Sequence, residues 1–262
     1  SAGDPSQWEA GAQRTDAIMI MQISGNKKDV SVMSIPRDSW VDVPGHGDGK
    51  INAAYSYGGP SLTIQTVENL TGIRISHFVI ADFESFQNLT DELGGVIINL
   101  KEPQTLAGTK FPDGAQLLNG KQALAYTRER KSLPGGDFDR VKRQQTWMRA
   151  IVRQTLTSGT LSNPTRLYSF LKTATQTVAV DESFTIDEMQ SLALGLNGLR
   201  SNDINFMTVP TNGTGRSPDG QSTVKLDPDA DAPLFQAFAT DTVNDYLEQH
   251  PGAVELLPAI VS

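Results

Sequence analysis

The fold of this chain is decided by two apolar segments near its start, Ala17-Ile18-Met19-Ile20-Met21-Gln22-Ile23 and Val30-Ser31-Val32-Met33-Ser34-Ile35. Gly25 and Asn26 between them are typical of a short turn, so the pair predicts two strands that are neighbours. The first segment is apolar at nearly every position, which favours a central strand of a sheet that is covered on both faces. These two strands form the starting point for the rest of the fold.

Downstream, strand and helix patterns alternate, which predicts an α/β fold. The expected architecture is a single domain over residues 1–262, with a central mixed β-sheet flanked by helices on both faces in three layers. Two segments rich in glycine are predicted as loops, at 45–50 and at 211–229, the second of them mobile. The remaining elements are predicted helices at 60–70, 83–93, 118–127, 138–157, 165–177, 186–196 and 231–249, and strands at 77–81, 96–100 and 204–209.

Composition limits the classes of function. The 262 residues include 22 basic and 30 acidic side chains, for a net charge of −8, so broad binding of nucleic acid is not expected. The absence of cysteine excludes disulfides and thiolate chemistry, and the sequence shows neither a membrane span nor a signal peptide. The start at Ser1, without a Met, leaves room for a targeting or anchoring segment upstream.

Six of the twelve arginines lie between residues 128 and 153, against the acidic sign of the whole chain. This concentration indicates a site for a ligand rich in phosphate. On the helix predicted there, Arg140, Arg143 and Gln144 follow the spacing i, i+3, i+4, so they are expected to project from one face and line a pocket. The alternative is a solvent-exposed helix on which arginines pair with acidic neighbours such as Asp137 and Asp139.

Several further motifs follow one another in a fixed order. They are Arg14-Thr15-Asp16, Ser34-Ile35-Pro36-Arg37-Asp38, Lys50-Ile51-Asn52-Ala53-Ala54-Tyr55, Asp91-Glu92-Leu93-Gly94-Gly95-Val96, Leu118-Asn119-Gly120-Lys121-Gln122-Ala123-Leu124-Ala125-Tyr126, Arg128-Glu129-Arg130 and Gly136-Asp137 with Arg140, Arg143, Gln144 and Gln145. Together, over about residues 14–157, they resemble the LytR-CpsA-Psr family of bacterial cell-wall enzymes. The acidic composition and the C-terminal region favour an actinobacterial member.

This resemblance implies a function and a location. Family members are anchored in the cell membrane by a single span, with the catalytic domain outside the cell; that anchor is absent from this chain. They transfer a glycopolymer from a polyprenyl-pyrophosphate carrier onto peptidoglycan, or onto a cell-wall protein, through a phosphodiester. A divalent metal, Mg²⁺ or Mn²⁺, is expected at the pyrophosphate.

The resemblance also implies roles for particular residues. Arg37, Arg128, Arg130 and Asp137 are expected to be catalytic, and Asp16 and Asp4 to bind the metal. Asp4 departs from the family pattern, because no apolar strand precedes it; either Asp4 is the second ligand or that ligand is missing from this chain. The residues expected to bind pyrophosphate are Arg14, Arg37, Arg128, Arg130, Arg140 and Gln144.

Some alternatives remain open from the residues alone. The base that activates the acceptor hydroxyl is either Asp38 or Asp137, and Asp16 has the alternative of a simple pair with Arg14. Two other functions would use the same arginines, namely a polyprenyl pyrophosphatase, in which water replaces the sugar hydroxyl, and a non-catalytic module that binds the carrier lipid. The metal carboxylates separate catalysis from binding alone.

Overall fold

The structure is a computed structural model that describes residues 15, 17–128 and 137–257. No helix in this part of the chain is long and apolar enough to cross a membrane. The helices are α1 (Ala53–Thr71), α2 (Phe83–Glu92), α3 (Gly120–Arg128), α4 (Asp137–Thr157), α5 (Pro164–Thr177), α6 (Ile186–Gly195), α7 (Pro228–Ala239) and α8 (Val243–Gln249). The strands are β1 (Ile18–Ile23), β2 (Val30–Ile35), β3 (Trp40–Val43), β4 (Gly47–Lys50), β5 (Val79–Ile80), β6 (Val96–Leu100), β7 (Gln104–Leu106), β8 (Thr109–Phe111), β9 (Gly114–Leu118), β10 (Ala179–Val180), β11 (Ile204–Thr208), β12 (Thr211–Arg216) and β13 (Ser222–Leu226).

The central sheet is mixed and has the strand order β1-β2-β11. β1 runs antiparallel to β2, with Ile18 opposite Ile35, and β11 runs parallel to β2, with Ile204 opposite Val30. All six residues of β2 are buried, whereas Met21 of β1 is 53% exposed. Among the described residues, β2 is the strand with hydrogen-bonded neighbours on both sides, whereas the sequence pattern favours the first apolar segment for the central position.

Helices cover both faces of this sheet, which confirms the predicted three-layer α/β architecture. Met33 and Ile35 of β2 belong to a core that also contains residues of α1 and α7, such as Val67 and Leu234. The side chains that alternate with them, represented by Val32, belong to a second core against α4. This alternation is what a strand with both faces buried requires.

A separate antiparallel pair, β6 and β9, packs with α2, α3 and α4 around Trp147. The indole nitrogen of Trp147 donates a hydrogen bond to Thr90 Oγ1 at 2.9 Å, so its polar atom is satisfied within the core. Gly120 permits the close approach of α3 to α2, since a Cβ at this position would lie 2.4 Å from the carbonyl oxygen of Gln87. These contacts fix where α3 ends and α4 runs.

Most predicted helices agree with the structure to within a few residues, and three expectations were wrong. The predicted mobile loop at 211–229 contains the hairpin of β12 and β13, and the predicted surface loop at 45–50 contains β4. The single helix predicted at 231–249 is two helices, with Asp241 between them in a left-handed conformation at φ 58°. The helix predicted at residues 60–70 agrees with the second part of α1, which a kink at Gly58 and Gly59 separates from a first part that begins at Ala53.

Candidate functional site

The candidate site is formed at the carboxyl end of β2, where the chain leaves the central sheet. Arg37 and Asp38 follow this strand after Pro36. The backbone N–H of Asn52 donates to the carbonyl oxygen of Arg37 at 3.2 Å, and the N–H of Ile51 donates to the carbonyl oxygen of Ser39 at 2.9 Å. These two bonds hold the end of β4 and the start of α1 against the segment that carries Arg37.

Two cationic side chains surround one carboxylate in this segment. Lys50 Nζ lies 3.0 Å from Asp38 Oδ1, and Arg37 Nε lies 3.6 Å from Asp38 Oδ2. All three side chains are largely shielded from water, with 15% of Lys50, 21% of Arg37 and 22% of Asp38 exposed. The three charges sum to +1, so this group, hereafter the Arg37–Asp38–Lys50 cluster, favours an anion beside it.

Three buried polar atoms belong to residues that are close in sequence to this cluster. Ser39 is fully buried, Asn52 is 3% exposed and Tyr55 is 5% exposed. Ser39 Oγ, Asn52 Oδ1 and the Tyr55 hydroxyl have no hydrogen-bond partner among the described residues. Burial also raises the pKa of Tyr55, which keeps its phenol protonated and able to donate. Buried polar groups in proteins are normally paired, so a group of unpaired ones indicates a ligand.

Gln145 fixes the helix α4 to the carboxyl ends of β2 and β11. Its amide nitrogen donates to Ser34 Oγ at 2.7 Å, to Thr208 Oγ1 at 3.0 Å and to the carbonyl oxygen of Met207 at 3.1 Å. These partners are the last residues of β2 and β11. The neighbouring Gln144 has a buried Oε1 without a partner in the described part of the chain. The bonds of Gln145 thus place the turn of α4 that carries Gln144 at the end of β2 that leads to Arg37.

The arginines of the cluster predicted from sequence divide into different roles. Arg143 is 8% exposed; its Nη1 donates to the carbonyl oxygen of Tyr126 at 2.9 Å, and its guanidinium lies 4.5 Å from the centre of the Tyr126 ring. Arg149 donates to the carbonyl oxygens of Ile204 at 3.0 Å and Leu257 at 2.7 Å, and burial lowers its pKa to about 10. The prediction that Arg143 lines a pocket with Arg140 was therefore wrong, because the guanidinium of Arg143 is bound to the carbonyl oxygen and ring of Tyr126 inside the protein.

Arg143 nevertheless contributes to the geometry of the site. Its bond to Tyr126 joins α4 to the last turn of α3, and Arg128 is the last residue of that helix. Arg128 is exposed. The contact fixes the end of α3 from which Arg128 projects.

Comparison with known proteins identifies the family of this chain. The model of the LytR_cpsA_psr family matches residues 2–234. The chain belongs to the LytR_cpsA_psr family. The family resemblance inferred from the sequence motifs is thereby confirmed.

Relatives of this family member have names that concern the cell wall. It is 33% identical over 251 residues to the cell wall biosynthesis protein LcpA of Corynebacterium glutamicum, covering 85% of this chain and 48% of LcpA. It is 34% identical over 189 residues to the polyisoprenyl-teichoic acid–peptidoglycan teichoic acid transferase TagU of Bacillus licheniformis, covering 72% of this chain and 60% of TagU. The chain thus spans about half to three fifths of the length of these relatives.

Solved structures of the family share the fold. The crystal structure of B. subtilis TagV has a TM-score of 0.77 at 26% identity, covering 87% of this chain and 89% of TagV. A structure of TagT bound to LI-WTA has a TM-score of 0.72 at 25% identity, covering 89% of this chain and 87% of TagT. These likenesses confirm the α/β architecture of this family member.

Several residues predicted for the site lie outside the described residues, namely Asp4, Arg14, Asp16 and Arg130. Asp137 and Arg140 are in the first turns of α4, and their side chains also lie outside the described part. Among the described residues no group of three or more histidine, aspartate or glutamate side chains is placed to hold a metal. The assignments of these residues to pyrophosphate and metal stay predictions.

Lys50 was not assigned to the site from the sequence, nor were the polar residues Ser39, Asn52 and Tyr55. The signal was present, since Lys50 opens the motif Lys50-Ile51-Asn52 that contributed to the family resemblance. Its contact with Asp38 depends on the pairing of β3 with β4, in which Lys50 lies opposite Trp40. Without that pairing, the sequence gives no reason to connect Lys50 with Arg37.

Proposed function

We propose that this family member transfers a glycopolymer from a polyprenyl-pyrophosphate carrier onto peptidoglycan, or onto a cell-wall protein, through a phosphodiester. The names of its relatives support this proposal. TagU is named as a transferase that acts between polyisoprenyl-teichoic acid and peptidoglycan, and LcpA as a cell wall biosynthesis protein.

The observation that carries the proposal is the Arg37–Asp38–Lys50 cluster at the carboxyl end of β2. It combines a net positive charge with the unpaired polar atoms of Ser39, Asn52 and Tyr55. A pyrophosphate presents several anionic oxygens, which guanidinium, ammonium, hydroxyl and amide N–H donors can bind together. The side chains of Arg14, Arg128, Arg130, Arg140 and Gln144 are proposed to complete this binding site.

The reaction needs one displacement at phosphorus. The acceptor hydroxyl oxygen attacks the phosphorus that carries the glycan, the bond from this phosphorus to the bridging oxygen breaks, and polyprenyl phosphate leaves. Arg37, Arg128 and Arg130 stabilise the charge on the phosphate oxygens, and this electrostatic contribution dominates phosphoryl transfer.

The hydroxyl proton must pass to a base, and the contacts of Asp38 bear on which residue accepts it. Lys50 and Arg37 lie beside its two carboxylate oxygens, so Asp38 orients cations. Asp137 at the start of α4 is the base in this proposal.

Mg²⁺ or Mn²⁺ is proposed as the metal, with Asp16 and Asp4 as the carboxylates that would hold it. Hard divalent cations prefer oxygen ligands. Thr15 Oγ1 is a buried oxygen without a partner among the described residues, beside the start of β1, and Ile18 of β1 lies opposite Ile35 at the end of β2. A bound metal would neutralise charge on the phosphate oxygens.

The proposed partners set the location. The carrier lipid lies in the membrane and the acceptor in the wall, so the chain is proposed to act outside the cell on a single-pass membrane anchor. Nucleic acid is not a proposed partner, since the net charge is −8.

Geranylgeranyl pyrophosphate with Mg²⁺ or Mn²⁺ tests the site. We expect metal-dependent release of phosphate, and its loss in Arg37→Ala, Arg128→Ala and Asp16→Ala. Arg74→Ala is the matched control, because the Arg74 side chain is 89% exposed and pairs with Glu68 on the surface.

The outcomes separate the rival functions. Transfer to an added peptidoglycan fragment from a donor that carries sugar would support the transferase. Phosphate release with no transfer to any acceptor would indicate a pyrophosphatase, and lipid binding with no release would indicate a carrier-binding module.

A further inference from the structure

A cleft of about 470 Å³ is lined in part by β3, the strand that follows Arg37 and Asp38 in the chain and pairs with Lys50 of the Arg37–Asp38–Lys50 cluster. It is enclosed by β3, the C-terminal half of α1, β13 and the start of α7. Its main lining residues are Trp40, Asp42, Asn69, Leu70, Lys225 and Leu226. The proposed reaction assigns no role to this cleft.

The lining has the composition of a sugar-binding site. Trp40, Leu70 and Leu226 form an apolar wall, and Asp42, Asn69 and Lys225 supply a carboxylate, an amide and an ammonium group. A pyranose ring has apolar C–H faces that pack on an indole ring, and hydroxyl groups around its edge that exchange hydrogen bonds with such polar groups. The volume falls in the range of small-molecule sites, which is about 300–1,000 Å³.

Asp42, which lines the cleft, also has a second carboxylate opposite it in the hairpin. Asp42 of β3 and Asp48 of β4 lie directly opposite each other in the antiparallel register, and both are exposed. Like charges at directly opposed positions destabilise a ladder. Hydroxyl donors from a sugar bound in the cleft would offset this repulsion by hydrogen bonding to Asp42.

The position of the cleft connects it to the proposed reaction. Trp40 lies opposite Lys50 in the same hairpin, and Lys50 Nζ is 3.0 Å from Asp38 Oδ1. Asp42 is two residues farther along β3, about 7 Å at the rise of an extended strand. Trp40 is therefore the residue of β3 that connects the cleft with Lys50 of the proposed pyrophosphate site, and Asp42 is farther from it.

We infer that this cleft binds a pyranose unit of a wall glycan, with Trp40 as the stacking platform and Asp42 as a hydrogen-bond acceptor. This inference rests on the proposed function and adds a subsite that selects for sugar. The pyranose comes from the donor glycan or from the peptidoglycan acceptor, and the two sources present the same chemistry to the cleft.

Two sugar-bearing probes distinguish these sources. The first is the peptidoglycan disaccharide of N-acetylglucosamine and N-acetylmuramic acid, titrated into the full chain by calorimetry. The second is geranylgeranyl pyrophosphate that carries one N-acetylglucosamine, compared in turnover with the lipid pyrophosphate without sugar. The variants are Trp40→Ala, Trp40→Phe and Asp42→Asn.

We expect Trp40→Ala to weaken disaccharide binding, or to lower the ratio of turnover with sugar to turnover without sugar, by about five- to tenfold, as the loss of an aromatic platform implies. Trp40→Phe should keep most of the disaccharide binding and of the turnover ratio, since phenylalanine retains an aromatic ring. Asp42→Asn should act in the same direction, and because Asp42 is exposed this variant is expected to fold. Tyr168→Ala on α5 is the control, because Tyr168 is an exposed aromatic residue, at 51%, and is not part of the cleft.

If disaccharide binding depends on Trp40, the cleft binds the acceptor. If the turnover of the sugar-bearing lipid depends on Trp40, the cleft binds the donor. The inference is overturned if neither probe depends on Trp40. The proposed function has its own test: it fails if the unmodified chain releases no phosphate from the lipid pyrophosphate without sugar. In that case, calorimetry with the disaccharide still tests the cleft.

Discussion

The ammonium nitrogen of Lys50 lies 3.0 Å from Oδ1 of Asp38, and this contact joins the β3–β4 hairpin to the carboxyl end of β2. It places a second cation beside Arg37, in a position that is only partly open to water. Electrostatic interactions are stronger where water is excluded, so both cations should act on a bound pyrophosphate. The first two predictions follow from this contact.

Lys50→Met keeps the length of the side chain and removes its charge. We expect phosphate release from geranylgeranyl pyrophosphate to fall by about 10²-fold, the effect of removing one positioned electrostatic group from a site of this kind. Lys172→Met on α5, where the lysine is exposed, is the control and should keep full activity. Equal rates for the two variants would remove Lys50 from the site.

Asp38→Asn tests whether Asp38 orients cations or accepts the proton. If it orients Arg37 and Lys50, the rate should fall while the pH dependence of the rate keeps its shape. Asp137→Asn, by contrast, should abolish the limb of the pH profile that reports the base. A pH profile altered by Asp38→Asn and preserved by Asp137→Asn would reverse the two assignments.

Arg143→Ala should reduce stability rather than act at the phosphate. The change removes a bond to the carbonyl oxygen of Tyr126 and a contact with the Tyr126 ring. We expect the free energy of unfolding, measured with denaturant, to fall by about 2–4 kcal/mol. Arg153→Ala on the same helix, where the arginine is exposed, should change it by less than about 0.5 kcal/mol. An unchanged stability with lost phosphate release would instead place Arg143 in the binding site.

Gln145→Leu should loosen α4 from the central sheet. It leaves Ser34, Met207 and Thr208 without their amide donor in the core. Unpaired buried groups cost about 1–3 kcal/mol each, so we expect the free energy of unfolding to fall by at least about 2 kcal/mol. Gln154→Leu, whose amide makes one long bond of 3.4 Å to Leu93, is the matched control. Similar losses in both variants would show that Gln145 has no special part in holding the helix.

Asp231 near the start of α7 should make stability depend on pH. It is 2% exposed, and burial together with the nearby charge of Asp227 raises its pKa from 3.8 to about 7. Because the folded state holds this proton more tightly than the unfolded chain, the contribution of Asp231 is fully present below about pH 4 and is lost as pH rises through about 7.

Asp231→Asn should remove this dependence. We expect the variant to be more stable than the unmodified protein at pH 8, by about 1–3 kcal/mol, with a smaller difference at pH 4. Denaturant unfolding at both pH values measures the effect. A difference that is the same at both pH values would show that the carboxyl group does not titrate between them.

Local patterns were sufficient to predict several elements of the fold. The helix pattern that ends at Gly72, the capping of α6 by Thr185, and the apolar run of β6 all depend on residues close in sequence, and each agrees with the structure. The order of β1 and β2 could not be predicted, because both segments are apolar. Their order is decided by the pairing of β2 with β11, about 170 residues away.

The elements that were wrongly predicted depend on contacts between distant residues. Asp241 ends α7 in a left-handed conformation, and its Oδ2 accepts a hydrogen bond from the N–H of Gly25 at 2.8 Å. The polar strands β12 and β13 have few apolar side chains, and their backbones pair with each other while Val224 donates to the carbonyl oxygen of Asp38. No local pattern contains this information.

The sequence by itself determined the family, the α/β class, and the candidates Arg37, Arg128 and Gln144, because ordered motifs and periodic apolar residues are local properties of the chain. Tertiary structure alone decided that Lys50 pairs with Asp38, that Arg143 connects α4 to α3 through Tyr126, and that Trp40 and Lys225 line one cleft. The physical reason is that charge pairing, burial and close approach depend on distances in space, and these are fixed only when the sheet and helices pack together.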